Sequence, residues 1–193
     1  MSFALVGVGS HGRDILSVAY RCDKNVYVLY DDDPDVGVQL PPDELSGHAI
    51  FGVNNSQTRR EMAKRFPLAT PAHPLIDPSA IIGSDCHIGR GSVVGPMASL
   101  LHSVTLGIHC HVNTGAQLVR TNVGSFCTIS PGAVICGDVT IGEYCQIGAG
   151  AVISDRCTIG DNVVIGAGSV LPPLSEVPNG TTVIGVWHNA KSH

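Results

Sequence analysis

From Ile76 to Leu171 an aliphatic residue returns at every sixth position. The first run is Ile76, Ile82, Ile88, Val94, Leu100, Leu106, Val112 and Leu118, and the second is Val123, Ile129, Ile135, Ile141, Ile147, Ile153, Ile159, Ile165 and Leu171. One step breaks the rule, the five residues from Leu118 to Val123. A period of six matches neither an α-helix of about 3.6 residues per turn nor the two-residue alternation of a strand, so it belongs to a repeating supersecondary unit. Hexapeptide repeats of this kind build parallel β-helices.

The position two before each grid residue is small or at most valine-sized, as at Ala80, Cys86, Ser92, Ala98, Val104, Cys110, Ala116, Cys127, Ala133, Val139, Cys145, Ala151, Cys157, Val163 and Ser169. One large and one small side chain per face fill a narrow three-sided core. Cys86, Cys110, Cys127, Cys145 and Cys157 occupy that small position, which makes them buried, reduced fillers rather than a metal or disulfide framework. Glycine often follows the large residue, as in Ile88-Gly89, Leu106-Gly107 and Ile147-Gly148, where tight corners are expected to need unusual backbone angles. Pro172-Pro173 are expected to end the repeat, with the tail through Trp187 folding back over an open edge.

Before the grid the pattern changes. Phe3 to Gly7 reads as a strand, Gly7-Val8-Gly9-Ser10-His11-Gly12 as a glycine turn, the segment through Tyr20 as a helix, and Val26 to Tyr30 as a second strand ending in Asp31-Asp32-Asp33. Asp35 to Gly47 reads as a loop, Ala49 to Val53 as a third strand, and Ser56 to Arg65 as a helix with Ser56 as its N-cap. Four prolines between Pro67 and Pro78 mark a junction, so residues 1–70 are expected to form a small α/β domain and 71–193 the solenoid with its tail. The glycine turn fits either a phosphate cradle or a tight structural turn, and the acidic strand end either a ribose or base contact or a solvated loop.

The chain carries a net charge of −5 with no cluster of Lys or Arg, which argues against nucleic acid or an anionic membrane as a partner. Seven cysteines without a CxxC pair fit a reducing, cytoplasmic setting. The apolar N-terminus is interrupted by glycines and Asp14 and lacks a basic leader, so neither a signal peptide nor a membrane span is expected. No metal site is expected.

In this order, the GxGxxG unit, the acidic strand end, the Pro-rich junction, the hexapeptide solenoid and Asn113-Thr114-Gly115-Ala116 resemble the sugar acyltransferases grouped with sialic-acid O-acetyltransferases and UDP-4-amino-sugar N-acetyltransferases. The resemblance spans essentially the whole chain. It implies a left-handed parallel β-helix preceded by a small Rossmann-like α/β domain. It also implies a homotrimer with active sites between subunits, acetyl-CoA as cosubstrate and a nucleotide-linked sugar as acceptor. Gly7, Gly9, His11, Gly12, Asp32 and Asp33 would lie near the uridine diphosphate and Asn113 near the acceptor sugar. Gly148, Ala149, Gly166 and Ala167 would line the coenzyme A groove. Lys191 would contact the coenzyme, although the tail around Trp187-His188-Asn189 is longer than the family's.

Acyl transfer from a thioester to an amine or hydroxyl needs a base, and imidazole suits neutral pH. The resemblance places the family's base where this chain has Arg120, and its second, donor-binding imidazole where this chain has Thr128. A guanidinium stays protonated and makes a poor base. One coil is about eighteen residues, so His102 is expected to stack beside Arg120 and His111 beside Thr128, one coil earlier. His102 then reads as a displaced base or a plain surface residue, and His111 as a donor or acceptor contact or a packing residue. His87 and His109 read as solvated coil residues, and Arg120 as a phosphate or carboxylate contact or an ordinary surface arginine. Three readings stay open on the sequence: an acyl-CoA-dependent sugar acyltransferase with a protein base, one that relies on substrate assistance without such a base, and a trimeric sugar-nucleotide-binding homologue that has lost catalysis.

Overall fold

The computed structural model describes residues 2–33, 35 and 45–188. Expectations for the Asp35 to Gly47 loop beyond these residues, and for Lys191, lie outside them. The N-terminal layer runs β1 (Ser2–Val6), α1 (Ser10–Arg21), β2 (Asn25–Tyr30), β3 (Gly47–Phe51), α2 (Ser56–Arg65) and β4 (Ala69–Pro71). The four strands form one parallel sheet in the order β2-β1-β3-β4, one strand more than the sequence suggested, because β4 forms within the proline-rich junction. The N-cap of α2 is Asn55, whose side chain accepts from the Thr58 N–H. Ser56 is instead buried, with its hydroxyl donating to the Cys145 carbonyl at 3.1 Å.

From Leu75 onward the chain winds as a parallel β-helix with three faces. The first face stacks the strands from Leu75–Ile76 to Thr182–Val183, the second those from Ile81–Ile82 to Val170–Leu171, and the third those from His87–Ile88 to Glu176–Val177. The grid residues point inward, and from Val94 to Leu171 none is more than 2% exposed. Pro172-Pro173 do not stop the repeat: Val177 and Val183 continue the six-residue grid and pair with Ile159 and Ile165. Trp187 then packs on the end of the core, its N–H donating to the Val170 carbonyl.

The short step occupies one corner. Ordinary corners turn through a left-handed residue three positions after the grid residue, as at Met97, Ser103, His109 and Phe126, but after Leu118 that residue is Arg120, φ 42°. Thr121 then takes the inward small position, its hydroxyl donating to the Val119 carbonyl at 2.9 Å. Pairings that span this coil are seventeen residues apart, such as His111 with Thr128, whereas others are eighteen apart, such as Ser99 with Gln117.

The glycines that follow grid residues have a different cause from the one expected. Gly89, Gly107 and Gly148 do not adopt left-handed angles; a Cβ on Gly107 would sit 2.6 Å from the Ser125 backbone nitrogen in the next coil. Close stacking of coils, not turn angle, excludes a side chain there. Gly107→Ala is expected to destabilise the chain by about 1–3 kcal/mol through overpacking, read as a lowered urea midpoint. Of the cysteines, Cys110, Cys127, Cys145 and Cys157 are buried fillers, but Cys86 is only half-buried at the open first coil, and all seven are free.

Candidate functional site

A three-sided solenoid has three edges, and the edges separate the sequence-derived candidates. After the first face come Gly95-Pro96, Asn113-Thr114, Ser130-Pro131, Gly148-Ala149 and Gly166-Ala167, stacked by bonds such as Gly150 N–H to Pro131 O and Gly168 N–H to Ala149 O. Asn113, Gly148, Ala149, Gly166 and Ala167 therefore share one edge. After the second face come His102 and Arg120, joined by the Arg120 N–H to the His102 carbonyl at 3.0 Å. They stack as expected, yet on a different edge from Asn113. Arg120 pairs with Asp138 at 3.0 Å, and His102 is exposed.

The third edge lies beneath the N-terminal layer. His109, expected to be solvated, is 3% exposed and sits between the rings of Phe51 and Phe126, at 5.2 and 5.0 Å. Burial, and then the charge of Arg59, lower its pKa to about 4. A histidine whose folded pKa lies below its unfolded value binds fewer protons when folded. Its contribution to stability is thus complete above about pH 6.5 and is lost as the pH falls through about 4, on the order of 3 kcal/mol. His109→Phe, which keeps the ring stack, is expected to lessen this acid loss in urea titrations between those pH values.

Two cavities meet at the boundary between layer and solenoid. The first, about 640 Å³, is lined by Gly7, Gly9, Ser10, His11, Asp31, Asp32, the Gly52–Asn55 turn and Arg65. Gly7 has φ 87°, a left-handed angle that favours glycine, and a Cβ there would lie 2.8 Å from a Val53 methyl, whereas a Cβ on Gly9 would meet nothing within 4 Å, so Gly9 leaves backbone open to the cavity. The N-terminus of α1 opens here with no side-chain cap, which suits an anion. Asp31 holds the turn by accepting the Val8 N–H at 2.6 Å. Asp32 bonds Arg65 and the Tyr30 hydroxyl, both at 3.0 Å. Asp33 and Gly12 do not line the cavity. Gly12 serves packing, since a Cβ there would lie 2.0 Å from the Gly7 carbonyl oxygen.

The second cavity, about 440 Å³, is bounded by Asp14, Asn54, Pro96, Asn113, Thr114 and Pro131. Ser10, His11 and Asn54 border both cavities. His11 Nε2 and His111 Nδ1 are 2.9 Å apart, in a hydrogen bond whose direction depends on the tautomers. His11 Nδ1 lies 4.0 Å from an Asp14 carboxylate oxygen. Burial first and Arg59 second lower the pKa of His11, against the opposing pull of Asp14. His111 is 1% exposed, and burial, then Arg59, hold it well below its ordinary value. Asn113 Nδ2 faces Asn54 Oδ1 at 3.5 Å.

The structure thus joins His11, His111, Asn113, Gly7, Gly9 and Asp32, and leaves His102 and Arg120 outside this region of the chain. Thr128 is buried, its hydroxyl donating to the Asn54 carbonyl at 2.7 Å. The sequence reading missed Asn54 and Arg59. The signal available for Asn54 was the apolar strand β3 followed by the Gly52 turn and the Asn-Asn-Ser cap, which places a polar side chain just after the C-terminal end of β3; Arg59, on the polar helix α2, had no such signal. Among the described residues no helix is long and apolar enough to cross a membrane, and no group of His, Cys, Asp and Glu could hold a metal ion.

A profile described as the GMPPB C-terminal domain matches residues 72–177, more than half of the chain. The chain belongs to the GMPPB C-terminal domain family. No curated protein sequence matches it. Among solved structures it is similar to the acetyltransferase domain of PglB from Neisseria gonorrhoeae FA1090 in complex with acetyl coenzyme A, at 28% identity and TM-score 0.82 over 98% of each chain. It also resembles a mutant perosamine N-acetyltransferase from Caulobacter crescentus in complex with CoA and GDP-perosamine, at 24% identity and TM-score 0.87, covering 96% of this chain and 94% of that one. WeeI from Acinetobacter baumannii AYE matches at 21% identity and TM-score 0.79, covering 96% and 97%. The solenoid is accordingly a left-handed β-helix, the fold of the sugar acetyltransferases that the sequence resembles.

Proposed function

We propose that this protein transfers an acetyl group from coenzyme A to the amino group of a nucleotide-linked sugar. The observation that carries the reading is the meeting of the two cavities at Ser10, His11 and Asn54. A nucleotide diphosphate at the glycine turn and the N-terminus of α1 extends its sugar past His11 into the cavity lined by Asn113. The small-residue edge through Gly148, Ala149, Gly166 and Ala167 leads along the solenoid to that cavity, which suits the pantetheine arm of acetyl-CoA. The likeness to the PglB domain, itself in complex with acetyl coenzyme A, supports this arrangement. The layer of residues 1–70 is then the nucleotide-sugar-binding domain and 71–193 the acyltransferase domain, in a cytoplasmic homotrimer.

The acceptor amine attacks the thioester carbonyl carbon directly. A C–N bond forms, one amine proton passes to an imidazole, and collapse of the tetrahedral oxyanion breaks the C–S bond to release the coenzyme thiol, which regains that proton. We assign the imidazole to His11. With its Nε2–H donating to His111 Nδ1, its Nδ1 is free to take the proton, and Asp14 faces the imidazolium that results. His102 could serve only from another copy of the chain. The test is thiol release from acetyl-CoA with UDP-linked and GDP-linked amino sugars, with product mass read in parallel. Binding of the nucleotide sugar with no acetylated product would instead favour a binding protein that has lost catalysis.

A further inference from the structure

Arg59 is the largest fully buried side chain described, at 0% exposure, and no carboxylate is among its hydrogen-bond partners. Its guanidinium instead donates in two directions. Nη1 reaches the carbonyls of Val53 and Asn54 at 2.6 and 3.1 Å, in the turn that separates the two cavities. Nε reaches the His109 carbonyl at 2.9 Å, and Nη2 reaches Phe126 O, Cys127 O and Thr128 Oγ1 at 2.9, 3.0 and 3.0 Å, all on the solenoid. Thr128 closes the loop by donating to Asn54 O.

Burying an unpaired cation costs several kcal/mol, and an apolar side chain of similar volume would serve packing more cheaply. The hydrogen bonds that offset this cost tie the turn after β3 to the solenoid. Asn54 is the residue it grips, and Asn54 borders both cavities and faces Asn113.

We propose that Arg59 is a positioning residue: its buried guanidinium clamps the Asn54 turn onto the solenoid, so that the nucleotide cavity and the acceptor cavity meet in fixed register. This rests on the acetyltransfer reading above. The clamp also places a permanent positive charge beside the imidazoles at the junction. The groups that face His11 are Asp14 on α1, Arg59 on α2 and His111 on the solenoid, with His109 acting on His111 behind it. Only Asp14 favours the imidazolium.

Three measurements test the clamp. In wild type, NMR titration of the His11 ring is expected to give a midpoint below its ordinary 6.5. Arg59→Met removes the charge, so the midpoint and the acid limb of the kcat profile are both expected to move to higher pH. Thr128→Val keeps the charge but removes the hydroxyl that donates to the Asn54 carbonyl and accepts from Arg59 Nη2, which loosens the clamp while the Nη1 bonds to Val53 O and Asn54 O remain. It is expected to lower kcat about tenfold to a hundredfold through misplacement of the acceptor, with the KM for acetyl-CoA unchanged and the His11 midpoint unmoved. A folded Thr128→Val with wild-type kcat overturns the clamp whether or not Arg59→Met folds, and an Arg59→Met midpoint no higher than that of wild type overturns its electrostatic part. Failure of the acetyltransfer reading shows separately, as wild type that makes no product, and the titration still reads the role of Arg59.

Discussion

His11→Gln is expected to lower kcat by roughly 10²–10⁴-fold, the usual contribution of a general base, while nucleotide-sugar affinity changes only a few-fold. Glutamine can still offer an N–H toward His111 Nδ1, which keeps the 2.9 Å contact that holds the two layers together at this point. It cannot take a proton near neutral pH. Loss of turnover without loss of fold or binding therefore isolates the proton-transfer step. The wild-type acid limb is expected below the ordinary histidine range, because burial and Arg59 both oppose protonation of His11. Single-turnover rates and nucleotide-sugar binding isotherms measured together decide the matter. If His11→Gln turns over at the wild-type rate while His102→Ala does not, the base belongs to His102 of an adjoining copy.

The difference between these two histidines shows what the sequence could and could not convey. The six-residue grid specifies stacking within an edge with little ambiguity, and His102 beside Arg120 and His111 beside Thr128 were both legible to the residue. The period also implies which edge each residue occupies: Asn113 follows a first-face grid residue, and His102 and Arg120 follow second-face ones. It contains nothing about what lies against an edge. His109 reads as a solvated coil residue, yet it is buried, as are His111 and Thr128, because the N-terminal layer docks over all three.

Apolar side chains such as Ile15, Val18, Leu75 and Val93 make part of that docking, and the part that stayed hidden is polar. Arg59 and Ser56 sit on a helix whose composition reads as a solvated surface helix, yet both are buried against solenoid carbonyls. Hydrophobic periodicity cannot find an interface made by a guanidinium and backbone oxygens. The glycine turn was easier to locate than to partition. Gly7 supplies a left-handed turn, Gly9 opens backbone to the cavity and Gly12 packs α1 against the turn, and the GxGxxG spacing alone does not separate these roles.

The solenoid makes a second strong demand, on stability. Ile135 is 0% exposed on the second face, stacked between Leu118 and Ile153, and Ile135→Ala is expected to cost about 2–5 kcal/mol. Ile82 occupies the same face in the first coil, pairs with Leu100 on one side only and is 37% exposed. Ile82→Ala is expected to cost about 1 kcal/mol or less, since less apolar area leaves water there and the site can relax toward solvent. Each coil contacts only its neighbours, so a cavity in the middle weakens two interfaces while one at the end weakens a single interface. Urea unfolding at constant m-value reads the two midpoints directly. Equal shifts for Ile135→Ala and Ile82→Ala would mean that the first coil is covered in solution as fully as the centre, and that the open end seen at Ile82 is closed by another part of the assembly.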